Sequence, residues 1–348
     1  MDLSFSNTKV LIVGGAGFVG SNLAHQILEE NPRELIIVDN LISSEKINIP
    51  EDQNVTFIQS SINNDNTLAH LPDDLDFVFH LACYHGNQSS IADPMADHEN
   101  NTLTSLKLFK RISEIKSIKK VVYAAAACAV AEKTYDDPSA TTEDQPVSLY
   151  HDSPYSISKI IGELYGNYFF QHLDLPFVKA RFSNVYGPRE ILGAGQWRGT
   201  IHTVWRNVIP TFIWKSLNGE ALPLDNGGNA SRDFIFVEDM ARGLMCCALR
   251  GSPGEIFNLA TGKETSILDL ATLINNLTGN KTPLDLKPAR DWDRSGKRFA
   301  STKKASQFLK FESNVDIDSG ISRTVDWTKN NIDLIKDNIS KHQEKLNL

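Results

Sequence analysis

Apolar positions in the first half of the chain follow two alternating patterns. Short, continuous apolar runs are typical of strands buried on both faces, and apolar residues at helical spacing separate them. The predicted strands are Lys9–Val13, Glu34–Asp39, Val55–Gln59, residues 76–81, residues 120–125 and Phe177–Phe182. The predicted helices cover residues 18–30, 96–115 and 154–172. This alternation predicts an α/β fold, a doubly wound parallel (Rossmann-type) sheet with right-handed crossovers.

The pattern becomes less regular after Val185. Glycines and prolines interrupt the following stretches, which favours a smaller α/β substrate-binding domain over a second nucleotide fold. Residues 234–237 and 256–260 again resemble strands, and we expect both to return to the main sheet. The predicted first domain therefore comprises residues 1–184 together with 234–262. Residues 185–233 and 263–348 form the predicted second domain.

A glycine-rich turn follows the first predicted strand and opens the first predicted helix. Its spacing is G-x-x-G-x-x-G, with Gly14, Gly17 and Gly20, and Phe18-Val19 lie between the last two. Glycines permit close approach of the backbone to a phosphate, and the helix N-terminus favours a negative charge at the same point. The second strand ends in Asp39, which would bind ribose hydroxyls. With no arginine beside Asp39, the sequence favours NAD over NADP.

A tyrosine and a lysine with helical spacing are the most specific chemical signal. Ser153 and Pro154 suit the N-cap and first turn of a helix, and Tyr155 and Lys159 then lie four residues apart on one face. A phenol with its usual pKa near 10 is a poor base at neutral pH. A nearby ammonium and a cationic nicotinamide ring would lower that pKa, so Tyr155 is the predicted general base and Lys159 its partner.

Composition excludes several classes of protein. The 348 residues carry a formal net charge of −8, which argues against nucleic-acid or anionic-membrane partners. The longest apolar run, residues 121–131, is too short to span a bilayer, and no signal peptide is evident at the N-terminus. Four cysteines form no C-x-x-C pair and no metal-ligand spacing. We therefore expect a reduced cytoplasmic protein without a metal site.

These stretches together resemble the extended short-chain dehydrogenases/reductases that act on nucleotide-activated sugars, the UDP-glucose 4-epimerase-like branch. The resemblance also covers His80-Leu81-Ala82, residues 181–188 (RFSNVYGP) and residues 232–239 (RDFIFVED), so it extends through most of the chain. It implies an NAD domain, a smaller nucleotide-sugar domain and a homodimer built on a four-helix bundle.

The resemblance also implies roles for individual residues. NAD would contact the glycine turn, Asp39 and Tyr155 with Lys159, and further residues in later loops. These further cofactor residues are Asn40, Ser61, Ile62, Leu81, Ala82, Asn101 and Phe182. A diphosphate between a nucleoside and a sugar requires fixed cationic donors, and arginine offers a planar bidentate group. The implied substrate residues are Asn184, Asn207, Val208, Arg232 and Arg294.

The sequence departs from the family pattern at two places. Ser61 replaces the acid that is more usual beside adenine. More importantly, Ala126 occupies the position where a serine or threonine usually bonds the reacting sugar oxygen. Cys128, two residues later, lies where related 3,5-epimerases carry a catalytic cysteine. His85, Gln88 and Thr134 are further possible substitutes for the missing hydroxyl.

The implied activity is that of an NAD-dependent nucleotide-sugar epimerase, with a UDP-hexose 4-epimerase as the first hypothesis. One alternative is a 3,5-epimerase or other 4-keto-sugar enzyme in which Cys128 is the acid/base. Another is a non-catalytic protein that binds NAD or a sugar nucleotide. The sugar 4,6-dehydratases and decarboxylases rank lower, since no acid follows Ala126 closely.

Overall fold

The computed structural model describes residues 3–130, 134–289 and 296–346, other than the side chain of Cys128. Within these residues the strands, numbered in chain order, are β1 Lys9–Val13, β2 Glu34–Asp39, β3 Val55–Gln59, β4 Phe77–His80, β5 Lys120–Ala126, β6 Phe177–Phe182, β7 Asn184–Tyr186, β8 Pro223–Asp225, β9 Ser231–Arg232, β10 Phe234–Phe236, β11 Ile256–Leu259, β12 Thr265–Ser266 and β13 Asp285–Lys287.

The α-helices among the described residues are α1 Phe18–Glu29, α2 Asp65–Ala69, α3 Asn87–Ala92, α4 Pro94–Asp97, α5 Thr104–Ser113, α6 Pro154–Leu173, α7 Val208–Leu217, α8 Val237–Arg250, α9 Ile267–Thr278, α10 Ile317–Asn330, α11 Ile332–Ser340 and α12 Gln343–Leu346. Short 3₁₀ or π turns add Lys46–Asn48, His98–Leu103, Ala127–Ala129, Ile201–Thr203, Asn226–Gly228 and Ala305–Leu309. The single helix predicted for residues 96–115 is thus divided, because a π turn separates α4 from α5.

A seven-stranded parallel sheet forms the centre of the fold, in the order β11-β6-β5-β4-β1-β2-β3. This confirms the predicted doubly wound sheet. The strand order reverses between β1 and β4, so the loops that leave these two strands open a crevice at the carboxyl edge of the sheet. Ligands of doubly wound folds bind in such a crevice, so the functional site is expected at this edge of the sheet.

Both faces of the sheet are covered, as the continuous apolar strands require. Helices α1 and α8 pack on one face, where Leu23, Ile27 and Leu244 join a buried cluster. Helices α5 and α6 cover the other face, where Phe109 and Phe169 are buried. Adjacent side chains of each strand therefore point into separate apolar cores.

The C-terminal part of the chain builds a smaller unit beside the carboxyl edge of the sheet. Its core contains Phe212 from α7, Ile274 from α9 and Ile321 from α10. One strand prediction was wrong here. β10 pairs with β7 in a separate two-stranded sheet, whereas β11 joins the main sheet beside β6 as expected. Because β6 and β7 are separated only by Ser183, the chain passes directly from the large sheet into the small one.

A buried ion pair ties α6 to the sheet. The Arg181 guanidinium donates to both carboxylate oxygens of Glu163 at 2.9 Å, and both residues are buried. Breaking such a pair leaves an uncompensated buried charge. We expect Glu163→Gln to lower the free energy of unfolding by about 3 kcal/mol, measured by urea denaturation.

The matched control is Glu238→Gln, because Glu238 pairs with Arg323 while both side chains are substantially exposed. Its expected effect is below about 1 kcal/mol. Equal losses of stability in the two variants would contradict this account.

Candidate active site

The glycine turn lies where the carboxyl ends of β1 and β4 meet. The Leu81 and Ala82 N–H groups both donate to the Val13 carbonyl, at 2.9 and 2.8 Å, which holds the two loops together. Gly14 has a φ of +87°, and a Cβ at this position would lie 2.6 Å from the Ala82 nitrogen. The turn therefore requires a residue without a side chain there.

Gly17 and Gly20 allow the start of α1 to lie close to the turn. A Cβ on Gly20 would lie 2.2 Å from the Gly14 carbonyl oxygen, and a Cβ on Gly17 would lie 3.1 Å from it. Gly17 is the N-cap of α1, and no side chain caps the helix. This side-chain-free helix N-terminus is a cradle that fits the pyrophosphate of a dinucleotide.

Asp39 at the end of β2 braces this cradle. One carboxylate oxygen accepts from the Ala16 N–H at 3.0 Å, and the other accepts from the Leu41 N–H and the Ser44 hydroxyl at 2.9 and 2.8 Å. Burial raises the pKa of Asp39, and these hydrogen bonds oppose that rise. Asp39 also lines the cavity, and a carboxylate is a suitable acceptor for a ribose hydroxyl.

Tyr155 and Lys159 face the cavity from the first two turns of α6, which Ser153 caps by accepting from the Ser156 N–H. The buried Lys159 ammonium donates to the Ala124 carbonyl at 2.8 Å and lies 5.8 Å from the centre of the Tyr155 ring. Its positive charge is thus close enough to stabilise a phenolate at Tyr155. The predicted pair is brought together at the end of β5.

The end of β5 carries no hydroxyl. Ala124, Ala125, Ala126 and Ala127 all line the cavity, and Ala126 is buried. Cys128 lies in the 3₁₀ turn that follows, but its side chain is outside the part of the chain that the structure describes. The part of the cavity wall formed by residues 124–127 therefore offers no side-chain hydrogen-bond donor.

A polar cluster lies beside Tyr155, formed by His85 from the loop after β4 and by Glu190 and Asn207 from later segments. The His85 ring lies edge-on to the Tyr155 ring, with 5.8 Å between centroids. Its Nε2 lies 3.4 Å from the Asn207 Oδ1, and the Asn207 amide nitrogen donates to Glu190. Burial, reinforced by the cations Arg198 and Arg206, lowers the pKa of His85 to about 4, so its imidazole is neutral at pH 7.

One continuous cavity of about 680 Å³ joins the cradle, the Tyr155–Lys159 pair and the smaller unit. The predicted residues that line it are Gly14, Gly17, Phe18, Val19, Gly20, Asp39, Asn40, Leu81, Ala82, His85, Gln88, Tyr155, Lys159, Phe182, Asn184, Asn207, Val208 and Arg232. Ser61 and Ile62 line a small adjoining space together with Asp39. The predicted cofactor and substrate residues thus converge on one site.

Of the predicted residues that the structure describes, Asn101 and Thr134 do not line this space. Asn101 is buried behind it, where its amide nitrogen donates to Asp97 at 2.7 Å and its oxygen accepts from the Tyr84 N–H at 2.7 Å. Arg294 lies outside the described residues. Thr134 forms a β-bridge with Lys297 and is not among the residues that line the cavity.

Sequence reasoning missed several charged residues of the site. Arg189, Glu190, Arg206, Lys215 and Arg298 all line the cavity. These residues come from loops and from α7, where the sequence shows no clear hydrophobic periodicity. In the sequence, only the position directly after Gly187-Pro188 distinguishes Arg189 and Glu190. Arg198 donates to the His85 carbonyl at 2.9 Å and anchors that loop.

The described residues were also compared with the requirements of a metal site and of a membrane-spanning helix. Among the residues that the structure describes, no group of three or more His, Cys, Asp or Glu side chains is arranged to hold a metal ion. A search of the same residues for a helix both long and apolar enough to cross a bilayer found none.

Comparison with known proteins gives the family. The NAD dependent epimerase/dehydratase family model matches residues 10–260, and the chain belongs to this family. This confirms the predicted family and NAD as its cofactor. The glycine cradle fits that cofactor, because side chains at Gly14 and Gly20 would collide with its walls.

Similar proteins span nearly the whole chain. The Bordetella bronchiseptica enzyme WbmF, crystallised in complex with NAD+ and UDP, is 56% identical, with a TM-score of 0.89 over 98% of each chain. The UDP-glucose 4-epimerase of Mycolicibacterium smegmatis is 28% identical over 92% of this chain and 99% of its own length. The Thermotoga maritima UDP-glucose 4-epimerase, crystallised with UDP-glucose, is 27% identical, with a TM-score of 0.83 over 93% of this chain and 99% of that one.

Proposed function

We propose that this protein is an NAD-dependent nucleotide-sugar 4-epimerase that acts on a UDP-hexose. The observation that carries the proposal is the position of Tyr155 and Lys159, which lie in the same cavity as the glycine cradle and the smaller unit. That arrangement suits an alcohol carbon held between a dinucleotide and a phenol. UDP in the WbmF complex and UDP-glucose in the Thermotoga maritima complex support uridine as the base.

The substrate diphosphate is expected at the N-terminus of α7. Asn207 is the N-cap of this ten-residue helix, and residues 207–211 line the cavity without an acidic residue in the first turn. Arg232 and Arg298 reach the cavity from neighbouring segments. A helix N-terminus and arginine donors together favour a diphosphate at this wall.

The chain's own residues would perform the proton chemistry. Bound NAD supplies a hydride acceptor for the sugar C4 and a donor for its return. Tyr155 removes the proton of the C4 hydroxyl as the 4-keto sugar forms and returns a proton to the oxygen afterwards. The Lys159 ammonium stabilises the phenolate between these steps. The cavity has to let the 4-keto sugar present its other face before the hydride returns.

The absence of a hydroxyl at Ala126 keeps a second function open. A 3,5-epimerase would remove a proton from C3 or C5 of a 4-keto sugar, with Cys128 as the acid/base, and exchange it with solvent. A 4-epimerase exchanges no carbon-bound hydrogen with solvent, since the hydride returns to C4. This difference separates the two reactions.

The experiment incubates the NAD-loaded protein with UDP-, GDP-, dTDP- and CDP-sugars in deuterated water and follows each by NMR. We expect inversion at C4 of a UDP-hexose without deuterium incorporation. Deuterium at C3 or C5 that disappears in Cys128→Ala would favour the 3,5-epimerase. Retained NAD without conversion of any sugar would contradict both enzymes and favour a binding protein.

We also propose a homodimer formed through α6. Ile157, Leu164 and Tyr168 are 46%, 60% and 54% exposed, and their spacing places them on one face of this helix. An exposed apolar helix face of this kind is typical of an interface. We expect Leu164→Glu to shift the protein from dimer to monomer in sedimentation experiments, since a buried glutamate would be unpaired there.

The matched control is Leu277→Glu, because Leu277 is a 38%-exposed leucine on α9, away from that face. It should leave the dimer intact. A wild-type protein that sediments as a monomer at micromolar concentration would contradict this proposal.

A further inference from the structure

A chain of side-chain contacts leads from Tyr155 to a buried carboxyl group. The His85 ring meets the Tyr155 ring edge-on, the His85 Nε2 contacts the Asn207 Oδ1 at 3.4 Å, and the Asn207 Nδ2 donates to the Glu190 Oε1. Neither the family match nor the sequence motifs assign a role to Glu190. The contacts connect it with the reacting end of the cavity through two intermediates.

Glu190 is an unusual carboxyl group for a structural residue. It is 5% exposed and lines the cavity, and its Oε2 is buried without a hydrogen-bond partner among the described residues. Burial raises the pKa of Glu190 to about 7, although the Asn207 hydrogen bond and the Arg206 charge act in the opposite direction. Glu190 therefore exists in both charged and neutral forms near neutral pH.

In this series of contacts, each hydrogen-bond donor or acceptor determines the role of the next group. An ionised carboxylate only accepts, so the Asn207 amide must direct its NH₂ group to Glu190 and its oxygen to His85. The His85 Nε2 must then carry the proton, which leaves Nδ1 of the neutral ring as an acceptor. The charge state of Glu190 thus specifies the tautomer of His85 beside Tyr155.

We propose that Glu190 is a positioning residue that acts through Asn207 to determine which nitrogen of His85 carries the proton. In the ionised state of Glu190, His85 presents an acceptor at Nδ1. When Glu190 takes up one proton from solvent, its O–H donates to the Asn207 oxygen after the amide rotates. The amide NH₂ then donates to the His85 Nε2, and the ring proton moves to Nδ1 by exchange with water in the cavity.

The surrounding charges keep the imidazole neutral in both states. Arg198 is held at the His85 backbone carbonyl, and Arg206 donates to the Ser43 and Ala194 carbonyls at 3.0 and 2.7 Å. These cations and Lys159 lower the pKa of His85 together with burial. Since a further positive charge is disfavoured there, the response to Glu190 is a change of tautomer and not a change of charge.

The consequence for catalysis rests on the proposed function. Ala126 provides no hydroxyl to the reacting sugar oxygen, whereas His85 contacts Tyr155 in the same cavity and offers either a donor or an acceptor. Glu190 would then decide which hydrogen bond the sugar receives. The positioning itself requires no sugar, so it is testable apart from the reaction.

The test uses NAD-loaded protein labelled with ¹⁵N-histidine and no sugar nucleotide. The ring nitrogens of His85 are assigned from the signals lost in His85→Gln, and their ¹⁵N shifts, which separate protonated from unprotonated nitrogens, are followed on both sides of pH 7. We expect the proton to lie on Nε2 at the higher pH values and on Nδ1 at the lower ones.

Two variants make the test decisive. Glu190→Gln should abolish the change of tautomer with pH, because its amide does not titrate. Glu143→Gln should preserve it, since Glu143 is another partly buried carboxyl group, bonded to the Asn258 N–H and absent from the cavity wall. A pH-independent tautomer in the wild type, a doubly protonated His85 ring, or an unchanged transition in Glu190→Gln would overturn the proposal. Each outcome is read without turnover, so it is distinguishable from failure of the epimerase assay.

Discussion

Replacing Tyr155 with phenylalanine is expected to reduce kcat about 10²- to 10⁴-fold, the usual contribution of a general acid/base. In the proposed reaction the Tyr155 phenol, which lines the cavity close to the Lys159 ammonium, takes the C4 hydroxyl proton. The substitution removes one oxygen and leaves the ring contact with His85 in place. NAD affinity should therefore change little, which a titration with NAD would show.

The control for this prediction is Tyr150→Phe, because the Tyr150 side chain is 88% exposed. It should retain wild-type kcat. A Tyr155→Phe enzyme with wild-type kcat would show that another group moves the proton, and the Ala126–Cys128 segment would become the first place to look.

Adding a methyl group at Gly20 is expected to weaken NAD binding about 10- to 100-fold, as follows from the usual cost of overpacking of 1–3 kcal/mol. The new Cβ would lie 2.2 Å from the Gly14 carbonyl oxygen and 2.8 Å from the Gly15 Cα. These are backbone atoms of the turn, so the cradle itself has to move. Isothermal titration with NAD measures the change.

Gly17→Ala provides a graded comparison, since its Cβ would meet the same oxygen at 3.1 Å. It should weaken NAD binding less than Gly20→Ala does. Thermal unfolding without NAD shows whether either variant has lost its fold. A folded Gly20→Ala protein that binds NAD as tightly as the wild type would contradict the placement of the pyrophosphate.

The sequence predicts most strands of the large sheet correctly because the local hydrophobic patterns agree with the tertiary contacts. Five residues of β1 run into the glycine turn, and the observed bounds of β1, β2, β3 and β6 are those predicted from the apolar runs. Strands that are buried on both faces consist of continuous apolar residues. Such strands can therefore be recognised in the sequence without knowing which strands they pair with.

The smaller unit was less predictable because its strands are defined by distant partners. The sequence of β10 suits a strand in either sheet, and only the three-dimensional path of the chain selects β7 instead of the main sheet. The same limit applies to Glu190. Its carboxyl group acquires significance from the Asn207 side chain, 17 residues away, and from its burial, and neither is visible in the local sequence.

The most direct test of the 4-epimerase proposal follows the hydrogen at C4 itself. UDP-glucose and UDP-N-acetylglucosamine carrying deuterium at C4 are incubated with the NAD-loaded protein in ordinary water, and the products are analysed by NMR. We predict that the substrate which turns over gives the C4-inverted sugar with its deuterium still at C4. Loss of the label to water, or inversion at another carbon with C4 unchanged, would contradict the proposed function.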